Sequence, residues 1–199
     1  MVNKLTIGIT GIQGAISEHV SSMVKTLEKL EIPGNVIVIK DTAQIDIIDG
    51  LVIPGGESTT ISNILYRSGL FESISKKINE NSLPIMGTCA GCVLLASKIV
   101  DNTYDVKLFS AMNMKVRRNA FGRQKESFEC NIYINGFSEP YNAVFIRAPV
   151  IENVWGKCKV LAKIENKIIM AKQNNLLALS FHPELTDDIR IHKYFLDMI

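Results

Sequence analysis

Residues 5–95 alternate between short, continuously apolar runs and stretches with helical periodicity, the pattern of a parallel sheet covered by helices on both faces. Leu5-Thr6-Ile7-Gly8-Ile9-Thr10 reads as a buried strand and runs into the turn Gly11-Ile12-Gln13-Gly14. The spacing of Val20, Met23, Val24, Leu27 and Leu30 predicts a helix over 17–30. Strands are expected over 35–40 and 51–53, the latter stopped by Pro54-Gly55-Gly56. Helices over 58–66 and 70–79 follow, and Ile85-Met86 opens another strand. From residue 105 the rhythm changes to strand-like runs at 112–116, 128–134, 144–146, 160–164, 168–171 and 176–181. Asn166 reads as a hairpin turn, and the spacing over 188–199 predicts a closing helix. No repeat, low-complexity run or linker divides the chain. The expected fold class is α/β, in a single domain over 1–199. Its central sheet is mostly parallel and flanked by helices, with antiparallel strands in the second half.

The bulk numbers fit that picture and exclude several function classes. At 199 residues, 47% hydrophobic and 21% charged, the chain can bury an ordinary core. A net charge of +2 argues against a nucleic-acid surface. The densest basic cluster, Arg117-Arg118 with Arg123 and Lys125, is short and runs straight into Glu126. No apolar run is long enough for a membrane span, and residues 1–15 lack the order of a signal peptide. Four cysteines without a paired framework suit a reducing compartment, so the expected location is cytoplasmic.

The chemistry is concentrated in residues 83–92, where an apolar run enters Gly87-Thr88-Cys89-Ala90-Gly91 and Val93-Leu94-Leu95-Ala96 reads as the start of a buried helix. This is a nucleophile elbow carrying sulfur in place of oxygen. Cys89 is expected to stand exposed at the helix N-terminus, where the dipole favours a thiolate. Phe181-His182-Pro183-Glu184 lies at the end of another strand, as does Pro54-Gly55-Gly56-Glu57-Ser58. Ligands of doubly wound sheets bind beyond such carboxyl ends. An extended backbone would put His182 and Glu184 on one side. Cys89 then reads as nucleophile, His182 as base and Glu184 as the acid that orients it. His19 and His192, each in a helix, read as solvated or packing residues. Other readings stay open on the residues alone. Cys89-Ala90-Gly91-Cys92 matches a C-x-x-C redox pair, although no proline stands between the cysteines. The elbow also suits a cysteine peptidase or another acyl hydrolase, and Glu57-Ser58-Thr59-Thr60 could simply cap a helix.

Taken together, the blocks resemble the class I, triad-type glutamine amidotransferase family. More narrowly, the chain resembles the glutaminase subunits of two-component pyridoxal 5′-phosphate synthases. The matching blocks are 11–15, 51–60, 87–91, 118–124 (Arg-Asn-Ala-Phe-Gly-Arg-Gln), 145–149 (Phe-Ile-Arg-Ala-Pro) and 180–185. Ile12 and Cys92 depart mildly from the family pattern, and residues 151–175 match it weakly. The resemblance implies hydrolysis of L-glutamine to L-glutamate and ammonia through a thioester on Cys89. It implies an oxyanion hole from the backbone N–H groups of Gly56 and Ala90. L-glutamine would lie against Gly56, Glu57, Ser58, Arg118, Ile146 and Arg147. The implied partner is a synthase subunit in a dodecameric core that receives the ammonia, with Gln13 in the interface. No metal or cofactor is implied, since pyridoxal 5′-phosphate would be the assembly's product.

Overall fold

In the computed structural model, which describes residues 4–100, 105–120 and 127–199, the apolar runs of the first half pair as parallel strands. The elements up to the elbow are β1 (Leu5–Thr10), α1 (Ile16–Lys29), β2 (Gly34–Ile39), β3 (Gly50–Ile53), α2 (Ser58–Arg67), α3 (Leu70–Asn79) and β4 (Ile85–Thr88). After it come α4 (Ala90–Leu95), β5 (Ala96–Ile99), β6 (Met112–Arg117), β7 (Ser127–Ile132), β8 (Tyr141–Ile146), β9 (Val150–Val154), β10 (Lys159–Ile164), β11 (Lys167–Gln173), β12 (Leu176–Leu179) and α5 (Arg190–Leu196). The main sheet runs β2-β1-β3-β4-β12-β11-β9-β6-β5, with β10 paired to β11, and β7 and β8 form a separate antiparallel ribbon. Pairing is parallel from β2 to β12 and again between β5 and β6. It is antiparallel where β11 meets β12, β9 and β10, and where β6 meets β9.

Side-chain alternation sorts the core onto the two faces of this sheet. Ile7, Ile9, Val52, Met86, Leu177 and Leu179 pack with Met23 and Leu27 of α1, Phe195 of α5 and Phe145 of β8. Their neighbours Leu51, Ile53, Ile85, Leu176 and Ala178 pack on the opposite face with α2, α3 and α4. At about 25 cal/mol per Å2 of apolar surface, these two buried layers supply the main driving force for folding. Among the described residues no helix is long and apolar enough to cross a membrane.

The structure departs from the sequence expectations in instructive places. Two strands, β5 and β9, carry too little pattern to be read: Ser97-Lys98 and Glu152-Asn153 interrupt their apolar residues. The apolar stretch 93–96 does not start the helix but ends it. Helix α4 begins at Ala90, and Ala96 already pairs with Met112 in the sheet. The closing helix is shorter than 188–199, because the Asp188 carboxylate accepts from the Arg190 N–H at 3.0 Å and holds residue 188 outside it. The hairpin turn at Glu165-Asn166 is as expected, with Ile164 paired to Lys167.

Close backbone approach places α4 under the sheet. A methyl group on Gly91 would stand 2.1 Å from the Ile53 carbonyl oxygen, and one on Gly87 would stand 2.6 Å from the Gly91 carbonyl. No flexible side chain can yield at either contact. Gly91→Ala is therefore expected to lower stability by at least about 1–3 kcal/mol, the usual cost of overpacking a core. Thermal denaturation measures this, and an unchanged midpoint would show that α4 can slide away from β3.

Candidate active site

The loops that leave β3, β4 and β12 meet over the carboxyl ends of neighbouring strands, at a cavity of about 780 Å3. Gly55 and Gly56, Cys89 and Ala90, and His182 all line it. Three segments far apart in sequence are thereby joined because β4 stands between β3 and β12.

Cys89 sits between β4 and α4 with φ 50° and ψ −103°, a conformation that side chains with a Cβ rarely adopt. Its N–H donates to the Leu179 carbonyl at 2.8 Å, which ties the bend to β12. The residue is 8% exposed, so the expectation of an exposed thiol is corrected: α4 and the surrounding loops enclose it, and only the cavity reaches it. Its Sγ donates a long hydrogen bond to the Ile146 carbonyl at 3.8 Å. Cys92 lies wholly inside α4, where burial pushes its thiol far up, so it is no redox partner for Cys89. Cys89, Cys92 and Cys158 are free thiols.

His182 is fixed by its own N–H, which donates to Val144 in β8 at 2.8 Å, and by Glu184 Oε1, 2.7 Å from its Nδ1. The expected contact is present, but not through an extended backbone. Pro183 opens a 3-10 turn, Pro183–Leu185, and that turn brings the Glu184 carboxylate back beneath the ring. Glu184 is 5% exposed and does not line the cavity. The Nε2 atom of His182 has no hydrogen-bond partner among the described residues. His182 Cε1 and Cys89 Cβ lie 2.8 and 3.1 Å from the point where a Gly55 side chain would begin. Only a residue without a side chain can stand between them.

The electrostatics follow from this burial. Burial alone would lower the His182 pKa, but Cys89 and Glu184 beside the ring outweigh it and push it up to about 10. Burial likewise favours a protonated Glu184. The hydrogen bond with His182 and the nearby His19 nevertheless hold that carboxyl below its ordinary value.

The remaining residues assigned from sequence surround the cavity. Gly56, Glu57, Ser58, Arg118, Ile146 and Arg147 all line it. The Glu57 carboxylate is already occupied as the cap of α2, accepting from the N–H groups of Thr59 at 3.1 Å and Thr60 at 2.7 Å. Arg118 Nη1 donates to Ser58 Oγ at 3.1 Å, which holds the guanidinium over the start of α2. Gln13 does not line the cavity. Its Oε1 instead accepts from the Glu57 N–H at 2.9 Å, joining the first loop to the glycine loop. The matching block 118–124 is described only through Ala120, and Phe121, Gly122, Arg123 and Gln124 lie outside the described residues. The sequence reading missed Gly14 and Asn119 as lining residues. Gly14 has φ 97°, and a methyl there would stand 1.9 Å from the Gly55 carbonyl oxygen, so its glycine was the available signal. His19 was missed as well: its side chain is fully buried, with Nε2 3.3 Å from Glu184 Oε2. Among the described residues no group of three or more His, Cys, Asp or Glu side chains is placed to hold a metal. A thiol, an imidazole backed by a buried carboxylate, and two arginines are the equipment of acyl transfer from a substrate that carries a carboxylate.

Comparisons with known proteins converge on the same chemistry. The model of the SNO glutamine amidotransferase family matches residues 9–199. A protein of Pyrococcus horikoshii named pyridoxal 5′-phosphate synthase subunit PdxT is 47% identical over 193 residues, covering 96% of this chain and 98% of its own. A protein of the same name from Methanococcoides burtonii is 47% identical over 198 residues, covering 98% of this chain and 99% of its own. A solved structure described as a glutamine amidotransferase superposes with a TM-score of 0.86 at 36% identity, covering 96% of this chain and 97% of its own. A glutamine amidotransferase from Thermotoga maritima, 14% identical with a TM-score of 0.65 over 98% of this chain and 84% of its own, shares the fold.

The raised His182 pKa makes a prediction about stability. Its contribution is full below the unfolded value of 6.5 and is lost as the pH rises toward about 10. Glu184 works the other way: its contribution is present above its unfolded value of 4.5 and is lost as the pH falls through its lowered folded value. The difference in Tm between the wild-type chain and His182→Gln should therefore be largest between pH 4.5 and 6.5 and shrink toward pH 10. A difference that grows with rising pH would contradict the assignment.

Proposed function

This chain belongs to the SNO glutamine amidotransferase family, and we propose that it hydrolyses L-glutamine to L-glutamate and ammonia through a Cys89-His182-Glu184 triad. The observation that carries this reading is the meeting of Cys89 and His182 at one cavity, with Glu184 2.7 Å behind the imidazole. In the reaction, with its proton already resting on His182, the Cys89 sulfur attacks the side-chain amide carbon, forming a C–S bond and a tetrahedral oxyanion. The oxyanion collapses as His182 returns the proton to the departing nitrogen, which leaves as ammonia. A water then attacks the thioester, again with His182 as base, and glutamate departs as Cys89 is regenerated. Glu184 keeps the ring in register and balances its charge without itself reacting.

The N–H groups of Gly56 and Ala90 serve as oxyanion donors in this reading, each worth about 10²–10³ in rate. Arg118 and Arg147 are suited to hold the substrate's α-carboxylate, with Glu57, Ser58 and Ile146 completing the wall. Relatives covering nearly the whole chain are named as synthase subunits, so we assign the ammonia to a pyridoxal 5′-phosphate synthase subunit, with glutaminases docked on a dodecameric core. Pyridoxal 5′-phosphate is then a product of that assembly and not a cofactor of this chain. We assign Gln13 to that docking interface, a reading supported by its hydrogen bond to the glycine loop. The free thiols of Cys89, Cys92 and Cys158 suit a cytoplasmic setting.

The test is glutamine turnover measured with the synthase subunit present. Cys89→Ala should abolish it, and His182→Asn should lower it by at least about 10²-fold, the low end for loss of a general acid–base. Glu184→Gln should cost less than His182→Asn, and Gln13→Ala should weaken stimulation by the partner. Near-normal turnover in His182→Asn would remove that residue from its role.

A further inference from the structure

Behind the triad lies a second imidazole that the reaction scheme leaves unused. His19 projects from α1 with no exposed side-chain surface, its Nε2 3.1 Å from Thr88 Oγ1 and 3.3 Å from Glu184 Oε2. Thr88 immediately precedes the nucleophile, and Glu184 is the acid of the triad. One ring therefore touches both ends of the catalytic arrangement from a helix distant in sequence.

The chemistry of Glu184 makes this contact consequential. Its Oε1 accepts from His182, which leaves Oε2 buried with lone pairs to satisfy. A buried carboxylate oxygen without a donor is costly, and the cost falls on the ionised form that His182 requires. A second contact from α1 fixes the same residue: Ser22 Oγ, one helical turn after His19, donates to the Glu184 carbonyl at 3.2 Å. The helix thus grips residue 184 by both side chain and backbone.

Resting on the glutaminase reading above, we propose that His19 is a positioning residue of the reaction. Its Nε2 lies within hydrogen-bond distance of Thr88 Oγ1 at 3.1 Å and faces Glu184 Oε2 at 3.3 Å, and the N–H dipole there holds the carboxylate ionised and aimed at His182. The role fixes the tautomer: Nε2 carries the hydrogen and Nδ1 is bare. It also requires a neutral ring, since a second imidazolium would compete with His182 for the same carboxylate. Burial keeps His19 uncharged, with Glu184 and Glu18 pulling its pKa up and His182 pushing it down. Neighbouring His192, from α5, is likewise kept neutral, burial pushing its pKa down to about 4. Among the histidines around Glu184, only His182 is then charged.

Two substitutions separate this role from simple core packing. His19→Gln can place an amide N–H where Nε2 stands, whereas the shorter side chain of His19→Asn cannot. In the full chain, ring nitrogen NMR should show wild-type His19 protonated on Nε2 alone. The His182 titration midpoint should fall by at least about one pH unit in His19→Asn and stay near the wild-type value in His19→Gln. With the synthase subunit present, kcat should drop by about tenfold or more in His19→Asn with KM nearly unchanged, and His19→Gln should recover most of it. Equal behaviour of the two variants, or an unmoved His182 titration in His19→Asn, would overturn the proposal. If His19→Asn does not fold, His19→Gln decides: a wild-type midpoint and kcat support the role, and loss of both refutes it. Absent turnover in the wild-type complex would refute the glutaminase reading instead, leaving the NMR comparison to decide His19.

Discussion

Cys89 is held at φ 50°, in a backbone conformation that costs a residue with a side chain about 1–3 kcal/mol. The surrounding structure exists in good part to hold it there. The Cys89 N–H is tied to Leu179, and α4 presses against β3 closely enough that residue 91 can only be glycine. The strain is local, but it is held by parallel pairing across β3, β4 and β12. Those strands also deliver the glycine loop and His182 to the same place. The packing that stabilises the fold is thus the packing that aims the sulfur.

A second constraint is electrostatic. Three histidines and one carboxylate share a buried region around residue 184, and only one of the histidines is held as a cation. The selection follows from partners. His182 has Glu184 at 2.7 Å and the thiol nearby, whereas the two rings of α1 and α5 are dominated by burial. Low dielectric makes each of these choices expensive to reverse. It also explains why Glu184 stands out of the cavity: a carboxylate open to solvent would support the imidazole less well.

The parallel half of the sheet could be read from the chain because its strands are apolar on both faces and its helices carry clear stripes. Helix α3, expected over 70–79, is found over Leu70–Asn79. The elbow and the His-Pro-Glu turn could be read because glycine and proline constrain the backbone locally. What could not be read depends on distant partners. Strands β5 and β9 are short, their apolar residues are interrupted by polar ones, and both pair with β6. The burial of Cys89 depends on loops from elsewhere in the chain. His19 lies on the apolar stripe of α1, three residues after Ile16 and four before Met23, which was the one sign that it points inward. Nothing local could show that a carboxylate from residue 184 waits there.

Covalent capture of the sulfur tests the account most directly. The chain, assembled with its synthase subunit, would be treated with an electrophilic glutamine analogue and mapped by mass spectrometry. A single adduct on Cys89 is expected, suppressed by excess L-glutamine, with Cys92, Cys130 and Cys158 unmodified. Modification that bypasses Cys89, or an adduct on it that L-glutamine does not suppress, would contradict the claim that the strained bend presents this sulfur to a bound glutamine.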